Sequence, residues 1–375
     1  MGNLQLSAKN TLNCFKTKKG EDILIITDVN KKNIALAIYK EALDIGLDPI
    51  IMEMVPRRFD GEEPPRAVAH AMLFSDVIIA PTTKSITHTN ARRNATKNGA
   101  RIATMPGITE EVFLRTMQFD YSSIKYTTEL LTKFLDKTKT ATITSNNGTN
   151  ITFKLGNKAS ADTGTLKDYG SFSNLPAGET SVAPVERTAS GIIVADYCGD
   201  VIKIPTKIQI ENGFIKNIQE NNDGIKLKKL LDEVNRVDNS KNAYNLAEFG
   251  IGTNPYAKIS GCTLEDEKVL GTCHFAFGDN TSYEGGTIDS TIHLDIIIKN
   301  VTVKLDNKII INNGKILIWK KKKSKLNAYL FFFLDVFLEV LALTALDFFL
   351  DTLVFCLTIL GFPPVFKETL NIAFS

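Results

Sequence analysis

Cysteine and histidine are scarce in this chain, and no excess of either charge sign is present. The five cysteines (Cys14, Cys198, Cys262, Cys273, Cys356) are scattered through 375 residues, and no two form a CxxC pair. That spacing excludes the usual thiolate zinc sites, argues against a disulfide framework and predicts a reducing, cytoplasmic setting. Lys and Arg number 44 against 42 Asp and Glu, a net charge of +2. With no basic stripe before residue 320, nucleic acid is not an expected partner. Met1-Gly2-Asn3 opens a polar stretch without an apolar core, so no secretory signal is expected. Position 6, where myristoylation requires Ser or Thr, is Leu6.

What is present has a globular composition, 43% hydrophobic and 23% charged, and the length suits two domains with real cores. Ile23-Leu24-Ile25-Ile26-Thr27 predicts a buried strand. Apolar Ile34, Ala35, Ile38, Ala42 and Ile45 follow at helical spacing, and Gly46 is a suitable stop. The alternation continues through strands near 50–54, 76–80 and 100–103 and helices near 64–75, 87–98, 110–117 and 122–136. Strands alternating with helices predict βαβ units and a doubly wound parallel sheet over residues 1–138. A dinucleotide fingerprint is missing, because Thr27-Asp28-Val29-Asn30 has no glycine for close phosphate approach. His70 sits on an apolar helix face and reads as structural. His88 opens a helix after a strand end, where ligands of open α/β sheets bind; the plainer reading is a solvated helix start.

From residue 139 the texture changes. Thr140–Thr144 and Asn150–Lys154 alternate around Ser145-Asn146-Asn147-Gly148, a hairpin signal. Further strands are expected near 191–197, 208–210, 214–219, 294–299, 302–305 and 308–311, with one helix at 227–237. Residues 139–318 are thus expected to form a β-rich α+β domain.

Two of the chain's four histidines fall within this domain beside carboxylates. In His293-Leu294-Asp295, a strand would place His293 and Asp295 on one face. His274 lies in Gly271-Thr272-Cys273-His274-Phe275-Ala276-Phe277-Gly278, and Glu248 in Ala247-Glu248-Phe249-Gly250. In Asn174-Leu175-Pro176-Ala177-Gly178-Glu179, proline and glycine restrict the backbone before Glu179, although an exposed turn gives the same pattern. Imidazole and carboxylate suit Zn, Co, Mn or Fe better than soft Cu(I). Three carboxylates and two histidines can supply a pair of metals with a bridging group.

These four segments, in this order, resemble the metallo-aminopeptidases of the aminopeptidase T and aminopeptidase S type. The likeness spans roughly residues 5–318 and is concentrated from 174 onward. The resemblance implies a hydrolase that removes N-terminal residues from peptides, usually as a homodimer, with a water activated by two divalent ions (Zn, Co or Mn). It implies Glu179, Glu248, His274, His293 and Asp295 as metal ligands, Glu248 as the bridge, and Glu179 and Tyr283 as catalytic groups. Tyr283 comes nine residues after His274, so its match to the family's tyrosine departs from the usual placement.

Relatives on the same scaffold resemble ring-cleaving 2,5-dihydroxypyridine dioxygenases, which implies an alternative: one Fe(II) held by His274, His293 and Asp295, with Glu179 and Glu248 behind them. A non-catalytic α/β binding module is the third reading. After residue 318 the composition shifts again. Lys320-Lys321-Lys322-Lys323 precedes an apolar stretch, 326–362, interrupted by Asp335, Glu339, Asp347 and Asp351. Buried carboxylates suit a membrane span poorly. The segment 319–375 is read as an interfacial or partner-binding helix pair, as a membrane anchor, or as a tail foreign to the family.

Overall fold

A computed structural model of the chain describes residues 4–119 and 121–317. The segment 319–375, with its three readings, lies outside the described residues. Strands β1 (Asp22–Asp28), β2 (Asp48–Met54), β3 (Val77–Thr82), β4 (Arg101–Pro106) and β8 (Phe172–Asn174) form one sheet, ordered β2-β1-β3-β4-β8. All four pairings are parallel. Successive side chains of β1 leave on opposite faces. Ile23 and Ile25 enter a core with Ile34, Ile38 and Phe113, while Leu24 and Ile26 enter another with Val68, Met72 and Ala95. Both faces are therefore covered, as a doubly wound α/β layer requires. Helix Leu4–Phe15, which no sequence expectation covered, buries Ala8, Leu12 and Phe15 against the first of these cores.

The remaining strands build two antiparallel sheets. The larger comprises β5 (Thr140–Ser145), β6 (Asn150–Lys154), β10 (Ser190–Ala195), β11 (Thr206–Glu211), β12 (Phe214–Ile218), β16 (Val301–Leu305), β17 (Lys308–Asn312) and β18 (Lys315–Ile316), ordered β12-β11-β10-β6-β5-β16-β17-β18. The smaller comprises β7 (Ser160–Asp162), β9 (Glu179–Val182), β13 (Leu246–Gly252), β14 (Cys273–Gly278) and β15 (His293–Ile298), ordered β15-β14-β13-β9-β7. The two sheets share a core in which Phe153, Phe249 and Phe275 meet with ring centroids 5.1–5.8 Å apart. This is the expected β-rich C-terminal region. The three-residue β8 lies beyond residue 138 in sequence yet pairs with β4 in the first sheet. No helix among the described residues is long and apolar enough to cross a membrane.

Candidate metal centre

The smaller sheet carries the site because its strands alternate. Phe249 and Ile251 of β13, Cys273, Phe275 and Phe277 of β14, and Ile296 and Ile298 of β15 enter the sandwich core. Period-two geometry then sends Glu248, His274, His293 and Asp295 to the other face. Register decides which of them meet. Glu248 pairs with Ala276, which pairs with Asp295, while Gly250 pairs with His274. Small residues stand between the functional ones and leave them room. Glu179, the first residue of β9, comes in opposite Gly252. Gly178 before it adopts φ +122°, and a Cβ there would lie 2.8 Å from that of Asn254, so position 178 requires glycine.

The structure brings together all five residues proposed as ligands from sequence. Glu248 joins the two imidazoles: its Oε1 is 3.3 Å from His274 Nε2 and its Oε2 is 2.8 Å from His293 Nε2. His274 Nε2 also faces Glu179 Oε2 at 3.3 Å, and His293 Nε2 faces Asp295 Oδ1 at 3.7 Å. Two overlapping groups have donor atoms within 4.8 Å of one another, Glu179–Glu248–His274 and Glu248–His293–Asp295. His293 Nδ1 lies 2.7 Å from the Asp279 carbonyl oxygen. A carbonyl only accepts, so Nδ1 carries the proton and Nε2 is the nitrogen presented to the site.

Charge in the cluster is one-sided. Burial disfavours an imidazolium, but the hydrogen bond to Glu248 and the charges of Glu179, Glu248 and Asp295 outweigh it and lift His274 to about 9. Burial likewise opposes charge on His293, and the bond to Glu248 with the Asp295 charge beside it raises this residue to about 10. Burial also works against ionised Glu248, yet both histidines overcome it and hold the carboxyl well below its usual range. Crowded carboxylates thus draw protons onto both imidazoles, and a divalent cation would satisfy the same carboxylates while leaving the imidazole nitrogens free to coordinate. Glu179 Oε2 and His274 Nδ1 are buried without a directed hydrogen bond; the 3.3 Å approach of Glu179 Oε2 to His274 is an ion pair by distance only. Donor types, convergence and an orphaned carboxylate oxygen all fit a metal ion of the Fe, Mn or Zn kind.

Three neighbours complete the surroundings. Tyr283 stacks near His293, with ring centroids 6.4 Å apart, and its hydroxyl is 3.3 Å from Ser181 Oγ. Burial and the nearby Glu248 and Glu179 keep its phenol protonated. Lys268, in the loop before β14, was not found from sequence. Only 1% of its side chain is exposed, and its ammonium lies 2.6 Å from Glu179 Oε1, 2.8 Å from Glu267 Oε1 and 3.5 Å from Asp162 Oδ2. Burial opposes that charge, but the three carboxylates hold the ammonium protonated. His88, between β3 and helix Asn90–Lys97, lies near enough for the charges of His293 and Glu248 to act on it. The residue is exposed, yet desolvation by the surrounding protein, followed by the charges of His293 and Arg92, pushes it down to about 4. The sequence signal for His88 was its place after the end of a parallel strand.

Comparison with known proteins separates the chemical readings. A family model described as NicX, 2,5-dihydroxypyridine 5,6-dioxygenase, matches residues 4–318. The 2,5-dihydroxypyridine 5,6-dioxygenase of Pseudomonas putida is 27% identical over 179 residues, 43% of this chain and 49% of that protein. The alignment thus spans about half the length of that relative. The solved 2,5-dihydroxypyridine dioxygenase from Pseudomonas putida superposes with a TM-score of 0.72 at 18% identity, covering 85% of this chain and 98% of the other. Wild-type AmpT from Thermus thermophilus superposes at 0.62 and 15% identity, covering 84% and 99%. At these identities the structures show a shared fold.

The dioxygenase family match overturns the aminopeptidase reading. The assignment to the aminopeptidase T and S type, the hydrolase and protease activity on peptide N-termini, and the two-ion Zn, Co or Mn centre with a Glu248 bridge all fall with it. The physical reason is that fold and ligand types are common to both chemistries. The four motifs locate the cluster, but do not say how many ions it takes or what reaction it runs. In this chain Glu179 spends one oxygen on Lys268, which leaves its other oxygen facing the donors of the cluster.

Proposed function

The chain belongs to the 2,5-dihydroxypyridine 5,6-dioxygenase family, and on that premise we propose that it uses one Fe(II) to open a hydroxylated pyridine ring with dioxygen. The observation that carries this reading is the family match over residues 4–318, which includes every residue of the buried cluster. His274 and His293, with a carboxylate from Asp295 or Glu248, would hold the ion. Bound Fe(II) supplies the one-electron chemistry that lets dioxygen react with a closed-shell ring, and a two-histidine, one-carboxylate set leaves coordination positions open.

The protein's own groups do the rest. Without the ion, ionised Glu248 is hydrogen-bonded to Nε2 of both imidazoles and holds them together; with it, the same nitrogens would turn to the ion. The Asp279 carbonyl keeps the His293 proton on Nδ1. Protonated Tyr283 offers a hydrogen-bond donor beside His293. His88, held near 4, is neutral at physiological pH and would offer a ring nitrogen as a hydrogen-bond partner to a ring hydroxyl. In this reading the α/β layer and the smaller sheet would each supply one wall of the substrate site.

The test is anaerobic loading with Fe(II), followed by 2,5-dihydroxypyridine and air-saturated buffer. One dioxygen should be consumed per ring, with both oxygen atoms recovered in the product from labelled gas. His293→Ala should abolish this turnover and reduce bound iron. Retention of iron and turnover in that variant, or a loaded protein inert to hydroxypyridines, would refute the proposal.

A further inference from the structure

Lys268 is an unusual neighbour for a candidate metal centre. Lysine is rarely fully buried, and a buried ammonium requires close anionic partners. Here the partners come from three parts of the fold: Asp162 from β7, Glu179 from β9 and Glu267 from the residue before it. Asp162 is anchored in turn by Ser173 of β8. The Lys268 backbone is also fixed, its amide donating to the Glu265 carbonyl and its carbonyl accepting from Asn254. The ammonium is therefore held at one place, against the outer oxygen of Glu179.

That place matters because the donor cluster has two overlapping halves. Glu179–Glu248–His274 is one, Glu248–His293–Asp295 the other, and Glu248 is common to both. Such an arrangement can accommodate two cations side by side. In this chain Glu179 Oε1 is already bound at 2.6 Å by a fixed positive charge. Only Oε2 still faces the donors, 3.3 Å from His274 Nε2. A dication on the Glu179 side would sit against that ammonium in a buried setting, where like charges repel strongly.

We infer that the Lys268 ammonium serves as a built-in cation in place of a second metal ion and restricts the centre to one. The Lys268 ammonium contacts Glu179, Glu267 and Asp162; it is a positioning residue that acts through Glu179. The inference rests on the single-iron reading above and accounts for it from this chain's own side chains.

The test is metal stoichiometry, which needs no turnover. Wild-type protein and Lys268→Met are stripped of metal, titrated with Mn(II), and analysed for bound metal after desalting, with circular dichroism as the check on folding. One ion per chain is expected in the wild type and two in Lys268→Met, while Lys268→Arg, which retains the charge, stays at one. If Lys268→Met does not fold, Lys268→Asn removes the charge while keeping a hydrogen-bond donor for Glu179. One ion in both the wild type and the neutral variant overturns the role of Lys268 and leaves the single-iron reading standing. Two ions in the wild type overturn both, and none in the wild type overturns the metal reading itself.

Discussion

A methyl group at position 250 would land 2.0 Å from Nε2 of His274. Gly250 adopts no positive φ, so its backbone tolerates alanine, and the effect of Gly250→Ala must pass through the imidazole. The expected outcome is displacement of His274, a loss of bound iron of at least tenfold at limiting Fe(II), and little change in secondary structure. Metal analysis beside a circular dichroism spectrum checks it. Residues of this kind show what a sequence conveys and what it withholds. His293-Leu294-Asp295 announced its shared face, because strand alternation alone dictates it. Glu179, Glu248 and His274 were recognisable as donors, but their meeting depends on register across three strands. Lys268 had no signal at all. A lysine defaults to the surface, and only three converging carboxylates, each from a different stretch of chain, make its burial tolerable. His88 was noticed for its position, but nothing local revealed that the charge of His293 on the smaller sheet reaches it.

At the scale of elements, helix Asn222–Val237 shows how a start is built. Asn221 caps it by accepting from the Gly224 amide at 2.7 Å. Asp223 in its first turn accepts from the Lys203 and Ile204 amides and pairs with Lys226. The amide bonds come first among the causes, with Lys226 beside them, and hold Asp223 at about 2. A carboxyl depressed in the folded state stabilises it fully above the unfolded value of about 4 and loses that contribution as pH falls toward 2. Asp223→Asn should therefore have a lower melting temperature than wild type at pH 7, and the gap should close between about pH 4 and about pH 2. A series of thermal melts across that range checks it. Sequence placed this helix at 227–237, missing its first turn because Asn221, Asp223 and Gly224 carry no apolar periodicity. Helix Leu4–Phe15 does carry Leu4, Ala8, Leu12 and Phe15 at helical spacing, whereas β7, β8 and β9 were hidden by their shortness. Three or four residues are too few for an alternation to declare itself, whereas the long strands of the first sheet were plain.

Across the whole molecule, the α/β layer and the β-rich region are joined by a buried ion pair. Arg115, on helix Glu110–Thr116, donates through Nε and a terminal nitrogen to both oxygens of Glu265 at 2.8 and 2.7 Å. Glu265 is fully buried while Arg115 is partly exposed. Removing the arginine leaves the buried carboxylate with the Lys258 amide but no counter-charge, at a cost of up to about 3 kcal/mol. Arg115→Ala should lower the denaturation midpoint accordingly, and Glu265→Gln in the same background should recover part of it; urea titration of both checks this. The overall class was readable from the alternating texture of the first 138 residues and the hairpins after it. The reaction was not, since the fold and the ligand types serve hydrolysis and oxygenation alike, and only sequence comparison along the chain's length separated them.

The path of the chain through β7, β8 and β9 has a further consequence. It leaves the smaller antiparallel sheet, adds three residues alongside β4, and returns. Without that visit, β4 would end the first sheet with an open row of amides and carbonyls, on a strand whose residues Arg101–Met105 are all buried. Unprotected strand edges of this kind recruit other chains. A fragment ending at residue 138 should therefore self-associate when expressed alone, while one extended through Asn174 should be less prone to do so; light scattering of the two at matched concentration decides it. The crossing strand thus acts as a guard against aggregation, loaned by one half of the protein to the other.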